Sequence, residues 1–312
     1  MDRMFVQVNG IRLGVEQRGA VAPIHLANAA SAASASHSGK MKGVGKSGPT
    51  LVMLHGFTGS AAGWGSHLDT LAAYGLRVIA LDLPGHGQSD APDDPRRYAI
   101  EYCQQDILAA LRGLGVSQGE AVLLGYSMGG RIALYTAFSE FFRALILESA
   151  SPGLEDPAER EQRRMSDEVL AASIERDGVQ AFIDRWEKLP LFASQSSLSL
   201  EVQEALHRQR LNNRARGLAQ SLRGLGTGVQ PSLYARLPAL HIPVLLIAGE
   251  LDTKFMAIAR SMAQALPRSQ LRIVPGAGHA VHLERQQDFD SLVGNFSLSM
   301  ISSLREGSSF LI

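Results

Sequence analysis

The sequence predicts an α/β fold: a mostly parallel central sheet with helices on both faces, interrupted by a helical lid. Two observations carry that reading. From residue 51 onward, short continuous apolar runs recur at 51–54, 77–81, 121–124, 144–147, 243–248 and 271–274, followed by turns and helical stretches. Continuous runs, as opposed to alternating ones, mark strands covered on both faces, as in a parallel sheet. Between the fourth and fifth runs the strand pattern vanishes, and a polar, arginine-rich helical stretch takes its place. Composition agrees: 45% hydrophobic and 19% charged residues suffice for a large core and exclude a disordered or fibrous chain.

The elements follow in order. Residues 1–19 contain two weakly alternating runs around Asn9-Gly10, a dipeptide that favours a tight hairpin turn. Residues 20–49 are rich in Ala, Ser, Gly and Lys with no sustained period, and read as a flexible insertion. Its Gly45-Lys46-Ser47 looks like the end of a phosphate-binding loop. The first glycine of that pattern is missing, because position 40 is Lys, and the segment precedes a strand where it should follow one. Residues 50–151 form the first part of the α/β core, 152–237 the helical lid, and 238–302 the second part, ending in a helix over 285–302. Residues 303–312 read as a polar tail.

Charge and cysteine content narrow the chemistry. Lys+Arg and Asp+Glu are equal at 30 each, so no global field points to nucleic acid or an anionic membrane. A single cysteine, Cys103, excludes an intrachain disulfide and a cysteine-built metal site. No apolar run reaches the ~18 residues that span a bilayer, and the first residues lack the apolar core of a secretion signal. The expectation is a cytoplasmic protein that needs neither metal nor organic cofactor.

Gly125-Tyr126-Ser127-Met128-Gly129 fits G-x-S-x-G between an apolar run and a helical stretch. In that strand–turn–helix setting the serine sits strained at the tip of a tight turn, its hydroxyl exposed. The hydroxyl needs a base and the base an orienting acid, in the chain order Ser, Asp/Glu, His. Asp252 in Gly249-Glu250-Leu251-Asp252 and His279 in Gly276-Ala277-Gly278-His279 each follow a predicted strand. Asp252 could equally cap the helix it precedes. His282 is a rival base, disfavoured because it lies past the turn. Two backbone N–H groups should stabilise a developing oxyanion, from Met128 and from Phe57 in Leu54-His55-Gly56-Phe57. His55 and His86 read as histidines that shape their loops.

LHGFTGS, LDLPGHGQSD, GYSMGG, GELD and GAGH, in this order, resemble the α/β-hydrolase superfamily across nearly the whole chain except 20–49 and the tail. GYSMGGRIAL, SPGLEDPAEREQRRMSDE, FIDRWEKLPLFAS, RQRLNN, GELDTKF and GAGHAVHLE resemble, more narrowly, the 2-succinyl-6-hydroxy-2,4-cyclohexadiene-1-carboxylate synthases of menaquinone and phylloquinone biosynthesis. The resemblance implies a lyase: pyruvate leaves 2-succinyl-5-enolpyruvyl-6-hydroxy-3-cyclohexene-1-carboxylate by elimination, with the Ser–His–Asp set as base. It also implies that Arg131, Arg163 and Arg210 meet the carboxylates of a small polycarboxylate substrate, and that Tyr126, Trp186 and Lys254 lie near the pocket. Arginine is the usual bidentate partner of carboxylate. For each arginine a solvated helix face is the alternative. Glu187 stands where the resemblance leads one to expect an aromatic in some relatives, a departure that bears only on a peripheral pocket contact. Two other functions stay open on the same residues: a serine hydrolase of an acidic ester or carbon–carbon substrate, and a ligand-binding receptor on a retained scaffold.

Overall fold

The computed structural model describes residues 4–19 and 49–306, with 301–306 described by backbone alone. Eight strands form one sheet: β1 (Met4–Val8), β2 (Ile11–Arg18), β3 (Thr50–Leu54), β4 (Arg77–Leu81), β5 (Ala121–Tyr126), β6 (Ala144–Glu148), β7 (Val244–Gly249) and β8 (Ser269–Val274). Their spatial order is β1-β2-β4-β3-β5-β6-β7-β8. β1 and β2 pair antiparallel across Asn9 (φ 44°) and Gly10 (φ 82°), two left-handed residues of the tight-turn kind that the dipeptide predicts. β2 also runs antiparallel to β4; from β4 onward every pairing is parallel.

Every residue of β3, β4, β6 and β7 is buried, which is why their sequences are continuous apolar runs. Successive side chains still alternate between faces. Val52 and Leu54 pack with the helices α2 (Ile100–Gly113) and α3 (Met128–Ala137), while Leu51 and Met53 pack with α1 (His67–Ala73) and with α9 (Gln286–Glu306), which follows the single turn α8 (Val281–Glu284). β8 is an edge strand and shows alternating exposure, so its apolar run is interrupted by Arg272. α9 extends to Glu306, beyond the end at 302 that the sequence suggests; Leu304, Arg305 and Glu306 are good helix formers, and the first breaker is Gly307. Residues 20–48, with Gly45-Lys46-Ser47, and residues 307–312 of the expected tail lie outside the described residues.

The sheet grows in opposite directions from its centre. The chain moves from β3 to β4 on one side and later to β5 on the other. Such a switch point leaves a crevice beyond the carboxyl ends of the two central strands, where α/β sheets place their ligands. The lid roofs this crevice. It consists of α4 (Pro157–Trp186), a short turn of helix over Pro190–Ser197, α5 (Leu200–Leu211) and α6 (Ala215–Leu225). Asp156 caps α4 by accepting from Ala158 N (2.6 Å), with Pro157 in the first helical position, and Gly178 (φ 82°) kinks the helix. Ala171, Ile174, Phe182 and Ile183 of α4 meet Leu218, Ala219 and Leu222 of α6 in a small core of the lid's own. Among the described residues no helix is long and apolar enough to cross a membrane.

Candidate active site

β5 delivers the chain to Ser127 and α3 carries it away. Ser127 has φ 51° and ψ −109°, a conformation that residues with a Cβ rarely adopt. The turn closes only because its neighbours lack side chains. A Cβ at Gly125 would stand 2.3 Å from Gly129 O, and one at Gly129 2.3 Å from Leu54 O and 2.5 Å from His55 O. This close approach sets the start of α3 against the loop after β3. Met128 is the first residue of α3, so its N–H has no carbonyl a turn earlier to bond. Across the gap, the loop bearing Phe57 closes on itself, with Gly59 N donating to Gly56 O at 3.0 Å.

Asp252, His279 and Ser127 form one hydrogen-bonded chain. His279 Nδ1 lies 2.6 Å from Asp252 Oδ2, and His279 Nε2 lies 3.0 Å from Ser127 Oγ. A carboxylate only accepts, so Nδ1 carries the proton and Nε2 is left to accept from the hydroxyl. His279 and Asp252 are both buried. Asp252 also caps α7 (Thr253–Ala265), its Oδ1 accepting from Phe255 N at 3.2 Å. The two readings of this residue are therefore not alternatives: one oxygen caps the helix while the other orients the imidazole.

Three other histidines hold other posts. His282 Nδ1 and N both reach Glu148 Oε1 at 2.9 Å, at the buried end of β6, so this ring is engaged away from the serine. His55 accepts from Leu83 N at 3.0 Å, tying the loops after β3 and β4 together. Burial pushes His55 down to about 4 and, with His55 beside it, His86 down to about 3, so both are neutral near pH 7.

The chain of three opens onto a cavity of about 430 Å³, within the usual range for small-molecule sites. Tyr126, Arg131, Arg163, Trp186, Arg210 and Lys254 all line it. Burial, with Glu148 close by, holds the Tyr126 phenol well above its ordinary range. Arg131 is anchored by neutral oxygens, donating to Leu225 O (3.0 Å) and Gln230 Oε1 (2.6 Å). Arg163 pairs with Asp167 at 2.8 Å on a half-exposed stretch of α4. Arg210 is buried, donates to Glu187 Oε1 (2.9 Å) and Gln195 Oε1 (3.0 Å), and stands over the Phe192 ring. Lys254 is exposed at the rim, with Nζ 5.9 Å from the Phe255 ring centre. Among the described residues no group of three or more His, Cys, Asp or Glu could hold a metal ion.

Residues 49–286 match the α/β-hydrolase fold family. A candidate 2-succinyl-6-hydroxy-2,4-cyclohexadiene-1-carboxylate synthase of Bacillus subtilis is 43% identical over 252 residues, which cover 80% of this chain and 90% of that protein. The chain belongs to the 2-succinyl-6-hydroxy-2,4-cyclohexadiene-1-carboxylate synthase family. The synthase of that name from Serratia proteamaculans is 34% identical across 80% of this chain and 92% of its own length. The structure of MenH from S. aureus superposes with a TM-score of 0.78 at 35% identity, covering 82% of this chain and 95% of that one.

Within this synthase family the residues that sequence reasoning missed are those that hold the cations. Glu187, expected only as a peripheral contact, forms an ion pair with Arg210 and also accepts from His207 Nδ1 at 2.9 Å. Gln195 and Gln230 lend oxygens to Arg210 and Arg131. Their partners lie 15 and 99 residues away in sequence, so no local pattern could have exposed them. Asp82 was also missed: it accepts from Ala61 N (2.6 Å) and Gln88 N (2.7 Å) and pins two loops beside the cavity.

Proposed function

We propose that this chain eliminates pyruvate from 2-succinyl-5-enolpyruvyl-6-hydroxy-3-cyclohexene-1-carboxylate to give 2-succinyl-6-hydroxy-2,4-cyclohexadiene-1-carboxylate, with Ser127, His279 and Asp252 as the base. The carrying observation is that an intact Asp252–His279–Ser127 chain opens onto a cavity lined by Arg131, Arg163, Arg210 and Lys254. A wall that carries these cations, Arg131 with no carboxylate paired to it among the described residues, suits a substrate with several carboxylates better than a neutral ester.

The chemistry follows from the substrate. The ring C2–H lies next to the succinyl ketone and is its acidic proton. Ser127 Oγ takes that proton as it passes its own to His279 Nε2, and Asp252 stabilises the imidazolium. The electrons of the C2–H bond spread into the ketone, whose oxygen becomes an enolate facing the Phe57 and Met128 amides. The enolate then re-forms the carbonyl, the ring double bonds shift to C2=C3 and C4=C5, and the C5–O bond breaks. The enolate of pyruvate departs and takes up the proton held by the His279 imidazolium, which restores the starting site, and the resulting enol tautomerises to the keto acid. No water adds and no acyl-enzyme forms. The arginines fix the carboxylates, and so hold the ring proton within reach of the serine oxygen. Tyr126 and Trp186 form apolar wall around the ring.

The test is incubation of the purified chain with the cyclohexene substrate under a coupled pyruvate assay. Catalytic release of pyruvate that the Ser127→Ala variant lacks is the expected result. Absence of release by the wild-type chain would overturn the reading.

A further inference from the structure

The three arginines that line the cavity are not alike in charge. Arg210 pairs with Glu187 and Arg163 with Asp167, so the fold already offsets both. Arg131 has no carboxylate within ion-pair distance among the described residues; its two acceptors, Leu225 O and Gln230 Oε1, are neutral. The charges that act on it from further away, Arg163 and Asp167, are each other's partners and oppose one another. Enclosure pulls the guanidinium down to about 10, the direction expected for a cation without an anion beside it, and it stays charged near pH 7.

Gln230 is where the choice was made. The residue is 2% exposed and its side-chain oxygen lies 2.6 Å from Arg131 Nη1. Its backbone N–H donates to Gly226 O at 3.2 Å, so the turn after α6 wraps the guanidinium and fixes the amide. Glutamate has nearly the same shape and would make a short ion pair at that distance. The amide instead leaves its own Nε2 buried with no partner. Considered for stability alone this is a poor choice of residue, because an unsatisfied buried donor and an unneutralised cation both cost free energy.

We propose that Gln230 is a positioning residue: its neutral oxygen aims Arg131 at the cavity and leaves the positive charge for a carboxylate of the bound molecule. The inference rests on the proposed function only in taking Arg131 as a carboxylate holder. Substituting Gln230→Glu would give Arg131 an internal anion that competes with the bound one.

The experiment compares wild type, Q230E and Q230M by thermal melting, by calorimetric titration with succinate as the probe anion, and by KM and kcat on the cyclohexene substrate. Q230E should melt above wild type yet bind succinate about 10- to 150-fold more weakly, the range for losing one charged hydrogen bond, with the catalytic loss carried mainly by KM. Q230M, which removes the oxygen but adds no charge, should lose less affinity than Q230E. A gain in stability joined to a loss of anion binding is an outcome that a packing role cannot produce. A Q230E that melts below wild type, binds succinate as well as wild type, or loses no more affinity than Q230M would overturn the proposal. Should the wild-type chain release no pyruvate, the functional reading falls, while the melting and succinate comparisons still decide the role of Gln230.

Discussion

Asp252 does two jobs with two oxygens, and they can be separated. Asn at this position keeps an acceptor for Phe255 N but offers the imidazole an amide that permits the wrong tautomer. Asp252→Asn should cost about 10⁴-fold in kcat with little change in Tm. Asp252→Ala should lose the same activity and also about 1 kcal/mol of stability with the cap. Equal Tm values for the two variants would show that the cap contributes nothing. On the proposed relay, Ser127→Ala and His279→Ala should each cost a similar factor and the double variant little more; steady-state rates that fall multiplicatively would count against the relay. Arg131→Ala should lower kcat/KM by about 10- to 150-fold, and Arg131→Lys should recover only part, since an ammonium cannot form the planar fork. The hydrogen-bonded chain of Asp252, His279 and Ser127 was legible in the sequence because each member follows its own strand in a fixed chain order. Gln230 and Glu187 were not, because a long side chain finds its partner through the tertiary fold.

At the scale of elements, the elbow is a packing solution before it is a catalytic one. Gly129 lets α3 start against Leu54 O and His55 O, which sets the Met128 amide opposite the loop of Phe57. Gly129→Ala would force backbone apart, because the atoms it meets are carbonyl oxygens that cannot rotate away. The expected cost is about 1–3 kcal/mol by denaturant titration, together with a fall in kcat larger than the change in KM. A variant with native kcat would separate the elbow's geometry from the proposed oxyanion site. The core strands from β3 to β8 were read from their apolar runs with errors of a residue or two, β8 among them, where one exposed face thins the pattern at Ser269 and Gln270. The lid was read as helical and polar, but its internal core was not foreseen. Ala171, Ile174 and Phe182 face Leu218 and Leu222 from a helix whose other side is nearly all charged, so the apolar stripe is narrow.

At the scale of the molecule, neutral buried histidines tie stability to pH. His55 and His86 have folded values near 4 and 3, below the ordinary 6.5 of the unfolded chain. Between those limits the unfolded state binds more protons, so this stability is fully present above pH 6.5 and is lost as pH falls toward 4 and below. His55 alone corresponds to roughly 3 kcal/mol across that window. Chemical denaturation at pH 7, 5.5 and 4.5 should show that decline, and a His86→Gln variant should show a shallower one; identical slopes would remove His86 from the account. The switch point between β3 and β5, with the arginine-bearing lid above it, joins these scales into one claim: the site removes a ring proton and expels an enol, with no water taking part. The most direct measurement follows pyruvate and the conjugated cyclohexadiene together in a single reaction with the cyclohexene substrate. The account predicts one diene for each pyruvate throughout the time course. Pyruvate released without diene, leaving a hydroxylated cyclohexene, would mean that the same three residues activate water, and would contradict it.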